Sequence, residues 1–253
     1  MLGQQYRVAI GNRGAFLFTI SVGMVVNSLM ALGWVSIFRF GTFNGWNVYE
    51  YLATFGVSML VFGVVNSLSI GILALPNLVD SGGFDDMLLQ PSPPLVQLAT
   101  ARVDITSPID AGMGLAVVGV FIATTPSDPA RLLVFLLSLV IAMVAFWCFA
   151  LLLPNLVAFY IRGSTRLAFM AGVLVQDGSS SPTAIIGGWA RILYLVGVPA
   201  LMVAAVPVGI LTYFGWKELA IGAVAVLCAL RLSLWGFARS LRRYTGSNVI
   251  GAR

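Results

Sequence analysis

The sequence predicts an all-α integral membrane protein. Of its 253 residues, 59% are hydrophobic and only 9% are charged, whereas soluble domains carry about 25% charged residues. Long apolar runs without any charge recur along the chain, and a membrane-spanning helix needs about 20 such residues to cross a hydrocarbon core of about 30 Å. Lipid therefore replaces water around much of this protein.

Two uncharged runs open the chain. Residues 15–38 form the first predicted span, since the run is too long for a cleavable signal peptide and ends at Arg39 rather than at a small-residue cleavage site. Residues 51–78 form the second. The hydrophilic stretch 79–107, with glycine and proline breaks, is predicted to connect the second span to the third.

Four further spans are predicted in the rest of the chain. Residues 108–125 and 131–154 form the third and fourth, and residues 217–238 form the last. The fifth, residues 164–182, must include Gln176 and Asp177 to be long enough. We expect a single transmembrane domain over residues 1–253.

The arginines indicate the topology. They cluster near the N-terminus, in the 79–107 connection, before the fifth span and at the C-terminus, and cytoplasmic loops are enriched in such residues. Six crossings place all four groups on the cytoplasmic side, with both termini. A seventh crossing would move the basic C-terminus outside, so we expect the proline-broken run 186–210 to be a re-entrant hairpin on the outer face, with seven spans as the alternative.

A docking element is predicted within the 79–107 connection. A short helix starting at Phe84 and ending at Gln90 is expected to present apolar side chains beside two carboxylates, between glycine and proline breaks. The alternative is a solvated loop. The residues assigned to docking are Phe84, Asp85, Asp86, Met87, Leu88 and Leu89.

Four polar residues within predicted spans are candidates for a substrate pathway. Asn27 and Asn66 occupy the same pentapeptide, Val-Val-Asn-Ser-Leu, in the first two spans, and hydrogen bonding between helices is their default role. Asp177 is an acidic residue within the fifth span. Arg231 either extends toward the inner interface or faces the bundle, where an anionic substrate group is a candidate partner.

Several chemistries are disfavoured by what the sequence lacks. It contains no histidine and no Gly-x-x-x-x-Gly-Lys-Ser/Thr motif, so metal catalysis and ATP binding are not expected in this chain. Cys148 and Cys228 lie in apolar runs and are expected to be packing residues. The net charge of +5 is explained by the positive-inside rule rather than by nucleic-acid binding.

The chain resembles ABC transporter type-2 permeases in an ordered set of landmarks. The 79–107 connection has their cytoplasmic-loop pattern of a glycine, an acidic residue, paired leucines and two prolines. Further landmarks follow in family order: Asn12-Arg13-Gly14-Ala15-Phe16, Gly45-Trp46-Asn47-Val48-Tyr49-Glu50, Arg102-Val103-Asp104, Pro182, Gly188-Trp189-Ala190-Arg191 and Pro199.

This resemblance implies the membrane subunit of an ATP-binding cassette exporter. It implies six helices per subunit, a dimer with an identical or homologous permease, an outer re-entrant hairpin and a cytoplasmic coupling helix pressed against a separate ATPase subunit. ATP and Mg²⁺ would be held by that ATPase, and this chain would need no cofactor. The expected location is the cytoplasmic (inner) membrane of a bacterium or archaeon. An ATP-independent channel or secondary transporter is the alternative.

Overall fold

The computed structural model describes residues 13–41, 46–161, 165–180, 188–212 and 216–244, and these residues form an all-helical protein. Short 3₁₀ or π-helical turns extend some helices. The α-helices are α1 (Arg13–Phe38), α2 (Val48–Ser69), α3 (Leu75–Asp80), α4 (Gly83–Leu88), α5 (Pro94–Ala99), α6 (Ser107–Thr124), α7 (Pro129–Leu156), α8 (Thr165–Ser180), α9 (Gly188–Ile192), α10 (Val206–Thr212) and α11 (Trp216–Arg243).

Five of the described helical stretches are long and apolar enough to cross a membrane. They are Arg13–Phe38, Val48–Asp80, Ser107–Thr124, Pro129–Ile161 and Trp216–Arg243. The helix in the position of the fifth predicted span, α8, has 16 residues and a length of about 24 Å at 1.5 Å per residue. Residues 164, 181 and 182 of that predicted span lie outside the described part, so six spans remain a prediction.

Helix α2 begins at a capping box. The Asn47 side chain accepts hydrogen bonds from the backbone N–H groups of Tyr49 and Glu50, at 2.9 and 3.0 Å. The Glu50 carboxylate accepts the Asn47 N–H in return, at 3.2 Å. These contacts satisfy backbone donors that a helix N-terminus leaves without intrahelical partners.

Glycines bring α2 and α6 into close antiparallel contact. A Cβ added at Gly63 would fall on the backbone of Ala111, and one added at Gly114 would fall on the backbone of Leu60. Small residues permit this approach between membrane helices. Gly112, two residues before Gly114 and on the open side of α6, has nothing within 4 Å of such a Cβ.

Residues 188–212, between α8 and α11, are helical but broken. Helix α9 passes into a π-helical turn ending at Gly197, Val198 is extended, and a second π-helical turn, Leu201–Ala205, leads into α10. Pro199 follows the break and supplies no backbone N–H. Met202, Val203 and Ala204 are completely buried in the main core.

Helix α1 lies at the edge of the bundle and buries no residue. Its contacts near the C-terminal end are aromatic: the rings of Trp34 and Phe38 each lie 5.6 Å from that of Tyr51 on α2. The remaining apolar side chains of α1, including Phe18 and Leu29, are mostly exposed. In this single chain they are available to lipid or to another subunit.

Candidate coupling site

Three short helices, α3, α4 and α5, occupy the connection between α2 and α6. Glycine and proline define their limits. Gly82 adopts the left-handed conformation, with φ of 78°, which favours glycine, and α4 starts directly after it. Pro94 opens α5 at a position where its missing N–H costs no intrahelical bond.

Phe84 faces into the protein, so its expected place on an exposed docking face is wrong. Its side chain is 0% exposed and belongs to a core cluster with Ile72, Leu75 and Leu98. The physical reason is that α3 and α5 fold back beside α4 and give this ring an apolar site within the chain.

Phe84 also joins parts of the chain that are remote in sequence. Its ring centroid lies 6.1 Å from that of Phe159, in the π-helical turn Val157–Ile161 that extends α7, and 5.4 Å from that of Tyr244, just beyond α11. Phe159 and Tyr244 are 5.8 Å apart and complete an edge-to-face triad. The triad places α4 and the ends of α7 and α11 at one end of the bundle, here called the α4 end.

The outer surface of α4 is formed by other residues of the predicted set. Asp86 is exposed, Leu88 is 39% exposed and Leu89, directly after α4, is 85% exposed. Met87 and Asp85 are half-buried. Among the predicted docking residues, Phe84 therefore points inward and anchors α4, whereas the Asp86 carboxylate, Leu88 and Leu89 form the outer surface.

Asp85 lies near the hydroxyl group of Tyr244. Burial raises the pKa of Tyr244 to about 12, and the neighbouring Asp85 carboxylate acts in the same direction because a nearby negative charge disfavours ionisation of the phenol. Tyr244 therefore stays neutral at ordinary pH and links α11 to α4. Sequence reasoning missed Phe159 and Tyr244, since no local pattern relates residues so far apart.

Asn27 and Asp110 form a polar contact between α1 and α6. The Asn27 Nδ2 donates a hydrogen bond of 2.9 Å to Oδ1 of Asp110, and the pair is half-buried. This contact is the interhelical hydrogen bond expected as the default for Asn27. Asp110 had no place among the predicted site residues; its acidic side chain within an apolar run was the available signal.

Asn66 lines a pocket whose walls are largely apolar. Ser69 on α2 and Gln176 on α8 add polar groups to it, and Phe146 and Pro154 of α7 contribute to the opposite wall. The pocket lies among three helices and is open on one side. It brings one of the four candidate pathway residues together with polar groups from another helix.

Asp177 and Arg231 do not line that pocket. Both side chains are exposed, Asp177 on α8 and Arg231 on α11. The alternative in which Arg231 faces the bundle interior is therefore wrong, because the face of α11 that packs on the bundle carries small and apolar residues instead. The four candidates do not converge on one site, and their assignment to a substrate pathway remains a prediction.

Within the described residues, which are all-helical, five apolar helices are long enough to span a bilayer, and they define this chain as a multi-pass membrane protein. The family model described as ABC-2 family transporter protein matches residues 23–248, and the chain belongs to that family. It is thus a transport protein of the ABC class, a permease. Neither a curated protein nor a solved structure gives a significant match.

Proposed function

We propose that this chain is the membrane-spanning subunit of an ATP-driven exporter, paired in a dimer with an identical or homologous permease and powered by a separate ATPase. Family membership supports the transport role. The absence of a P-loop motif in the sequence supports a separate ATP-binding chain, which would also hold the Mg²⁺. The observation that carries the proposal is the attachment of α4 to the ends of α7 and α11 by Phe84.

In this proposal α4 is the coupling helix. Asp86, Leu88 and Leu89 supply the surface that contacts the ATPase, while Phe84 fixes the helix to the bundle. A displacement of α4 on nucleotide binding would then move the ends of α7 and α11, because their aromatic rings pack directly on Phe84. Close-packed interiors transmit such displacements rather than absorbing them.

The proposed topology places the α4 end in the cytoplasm of a bacterium or archaeon, with six crossings and both termini on that side. The location of arginines supports this topology. Three of them lie at or toward the α4 end: Arg102 in the connection between α2 and α6, Arg166 at the start of α8, and Arg239 near the end of α11.

The broken segment before α11 is the proposed outer re-entrant hairpin. Its arms, Gly188–Gly197 and Leu201–Thr212, measure about 15 and 18 Å at 1.5 Å per residue. Neither reaches the thickness of a hydrocarbon core, about 30 Å. At the opposite end from α4, Arg191 of the first arm lies 3.4 Å from Glu218 at the start of α11.

The dimer is supported by the surface of α1, whose apolar residues remain uncovered in one chain. The substrate pathway is proposed to include Asn27, Asn66 and Asp177. The pocket beside Asn66 is the strongest of these positions, since polar groups of α2 and α8 meet there.

Purification from the native membrane tests the proposal. A P-loop ATPase should co-purify, and proteoliposomes should transport only when it is present with ATP. ATP-driven transport by this polypeptide alone, or ATP-independent flux equal to that of the complex, would contradict it and favour a channel or secondary transporter.

Cysteine labelling tests the topology separately. In a background lacking Cys148 and Cys228, cysteines placed at Gly45 and Ser127 should react with an impermeant reagent from outside, and one at Ser247 should not. Labelling of residue 247 from outside would restore seven crossings.

A further inference from the structure

Helix α11 has two chemically different faces. Its buried residues, which include Gly222, Val226, Ser233, Phe237 and Ser240, share the side that packs on the bundle. At about 100° per residue, Arg231, Trp235, Arg239 and Arg242 fall within a sector about 80° wide on the opposite side. All four are exposed, Trp235 by 59%. These four residues are called the basic face.

The basic face is positively charged, and no carboxylate in the described part of the chain forms an ion pair with it. The acidic residue of α11, Glu218, lies at the other end of the helix beside Arg191. Among the described residues, none of the three arginines forms an ion pair. The Arg239 guanidinium instead lies over the Trp235 ring, with Cζ 5.3 Å from the ring centroid, an arrangement that leaves its charge available to an anion.

The position of the basic face relative to the membrane restricts the anion. Arg231 lies about 12 Å along the helix from Arg239, within an apolar stretch, so its guanidinium must reach toward the headgroup layer or meet a negative group in lipid. Beside it, Leu232, Leu234 and Trp235 form an apolar surface open to the surroundings. Tryptophan is enriched at the depth where headgroups meet acyl chains.

We propose that the basic face binds an anionic phospholipid, with its phosphate held by Arg231 and Arg239 and an acyl chain along the apolar surface beside Trp235. Charge complementarity and the exposed apolar surface together favour a lipid over a soluble anion. A second copy of the chain is disfavoured, because a symmetric contact through this face would oppose arginine to arginine. Under the proposed topology this lipid lies in the cytoplasmic leaflet. The class of lipid does not depend on that topology.

The test uses the full chain, delipidated in detergent and titrated with phosphatidylglycerol or phosphatidylcholine in mixed micelles, with binding read by native mass spectrometry. Each arginine near a lipid surface contributes a factor of about five in affinity for anionic lipid. Wild type should prefer phosphatidylglycerol, and the Arg231→Gln/Arg239→Gln pair should reduce its affinity for that lipid about 25-fold. Arg102→Gln, the same charge change at an exposed position outside α11, should keep the preference.

Two further measurements serve as controls for charge and for the identity of the bound anion. Arg231→Lys/Arg239→Lys keeps the charge and should retain most of the preference. If the glutamine pair is not monodisperse, the single variants Arg231→Gln and Arg239→Gln replace it, and each should lose about fivefold in affinity for phosphatidylglycerol. Inorganic phosphate should not displace the lipid. Equal affinity for both lipids, a preference unchanged in the glutamine pair, or displacement by phosphate would overturn the proposal. Co-purification of an ATPase is unaffected by any of these results, so the two proposals fail independently.

Discussion

Replacing Phe84 with alanine should loosen the connection between α4 and the membrane helices without unfolding the bundle. The ring is completely buried and contacts the rings of Phe159 and Tyr244. Alanine removes those contacts and leaves a cavity at the α4 end. The α2, α6 and α7 core around Val57 and Phe135 belongs to a separate cluster and should remain intact.

The magnitude follows from the burial. Truncating a buried phenylalanine to alanine costs about 3–5 kcal/mol. If the loss is confined to local opening of the α3–α5 connection, 3 kcal/mol corresponds to an increase of about a hundredfold in the population of opened states. Backbone amides of α4 should then exchange hydrogen about a hundred times faster.

Hydrogen–deuterium exchange measured by mass spectrometry on peptides covering residues 75–99 gives the test. Leu89→Ala is the matched control, because Leu89 is 85% exposed and its truncation should leave exchange nearly unchanged. Under the proposed function, Phe84→Ala should also reduce the substrate-stimulated ATP hydrolysis of the complex. Leu89→Ala should weaken only the binding of the ATPase. Unchanged exchange in a monodisperse Phe84→Ala protein would refute the anchoring role.

Two other predictions concern helix packing and ionisation. Gly114→Leu should destabilise the α2–α6 contact by about 1–3 kcal/mol or more, while Gly112→Leu, facing open space, should have little effect; equal losses in thermal unfolding would contradict the close contact. Because the folded-state pKa of Tyr244, about 12, exceeds its ordinary value of 10, the folded state holds this proton more tightly. The contribution of the protonated Tyr244 hydroxyl to folding stability is therefore full below pH 10 and is lost between pH 10 and 12. Tyr244→Phe should make unfolding less sensitive to pH over that interval, and an unchanged pH profile would show that the hydroxyl is not perturbed.

The composition and the uncharged runs by themselves determined the class of protein and the approximate positions of its long apolar helices. That information is local: a run of about 20 apolar residues has a spanning length whatever it packs against. The glycine and proline residues likewise predicted the short helix near Phe84, since Gly82 permits the left-handed conformation before it and Pro91 follows its C-terminal end. The family resemblance was confirmed over residues 23–248.

The tertiary structure alone decided which way these side chains face. Phe84 reads as an exposed docking residue because α4 is short and lies in a polar connection, yet it is buried by Phe159 and Tyr244, which no spacing rule relates to it. Arg231 lies outside the bundle because the packed face of α11 is set by Ser233 and Phe237. In a chain that is apolar on almost every side, hydrophobic periodicity carries little information about facing, so orientation is fixed by contacts between remote segments.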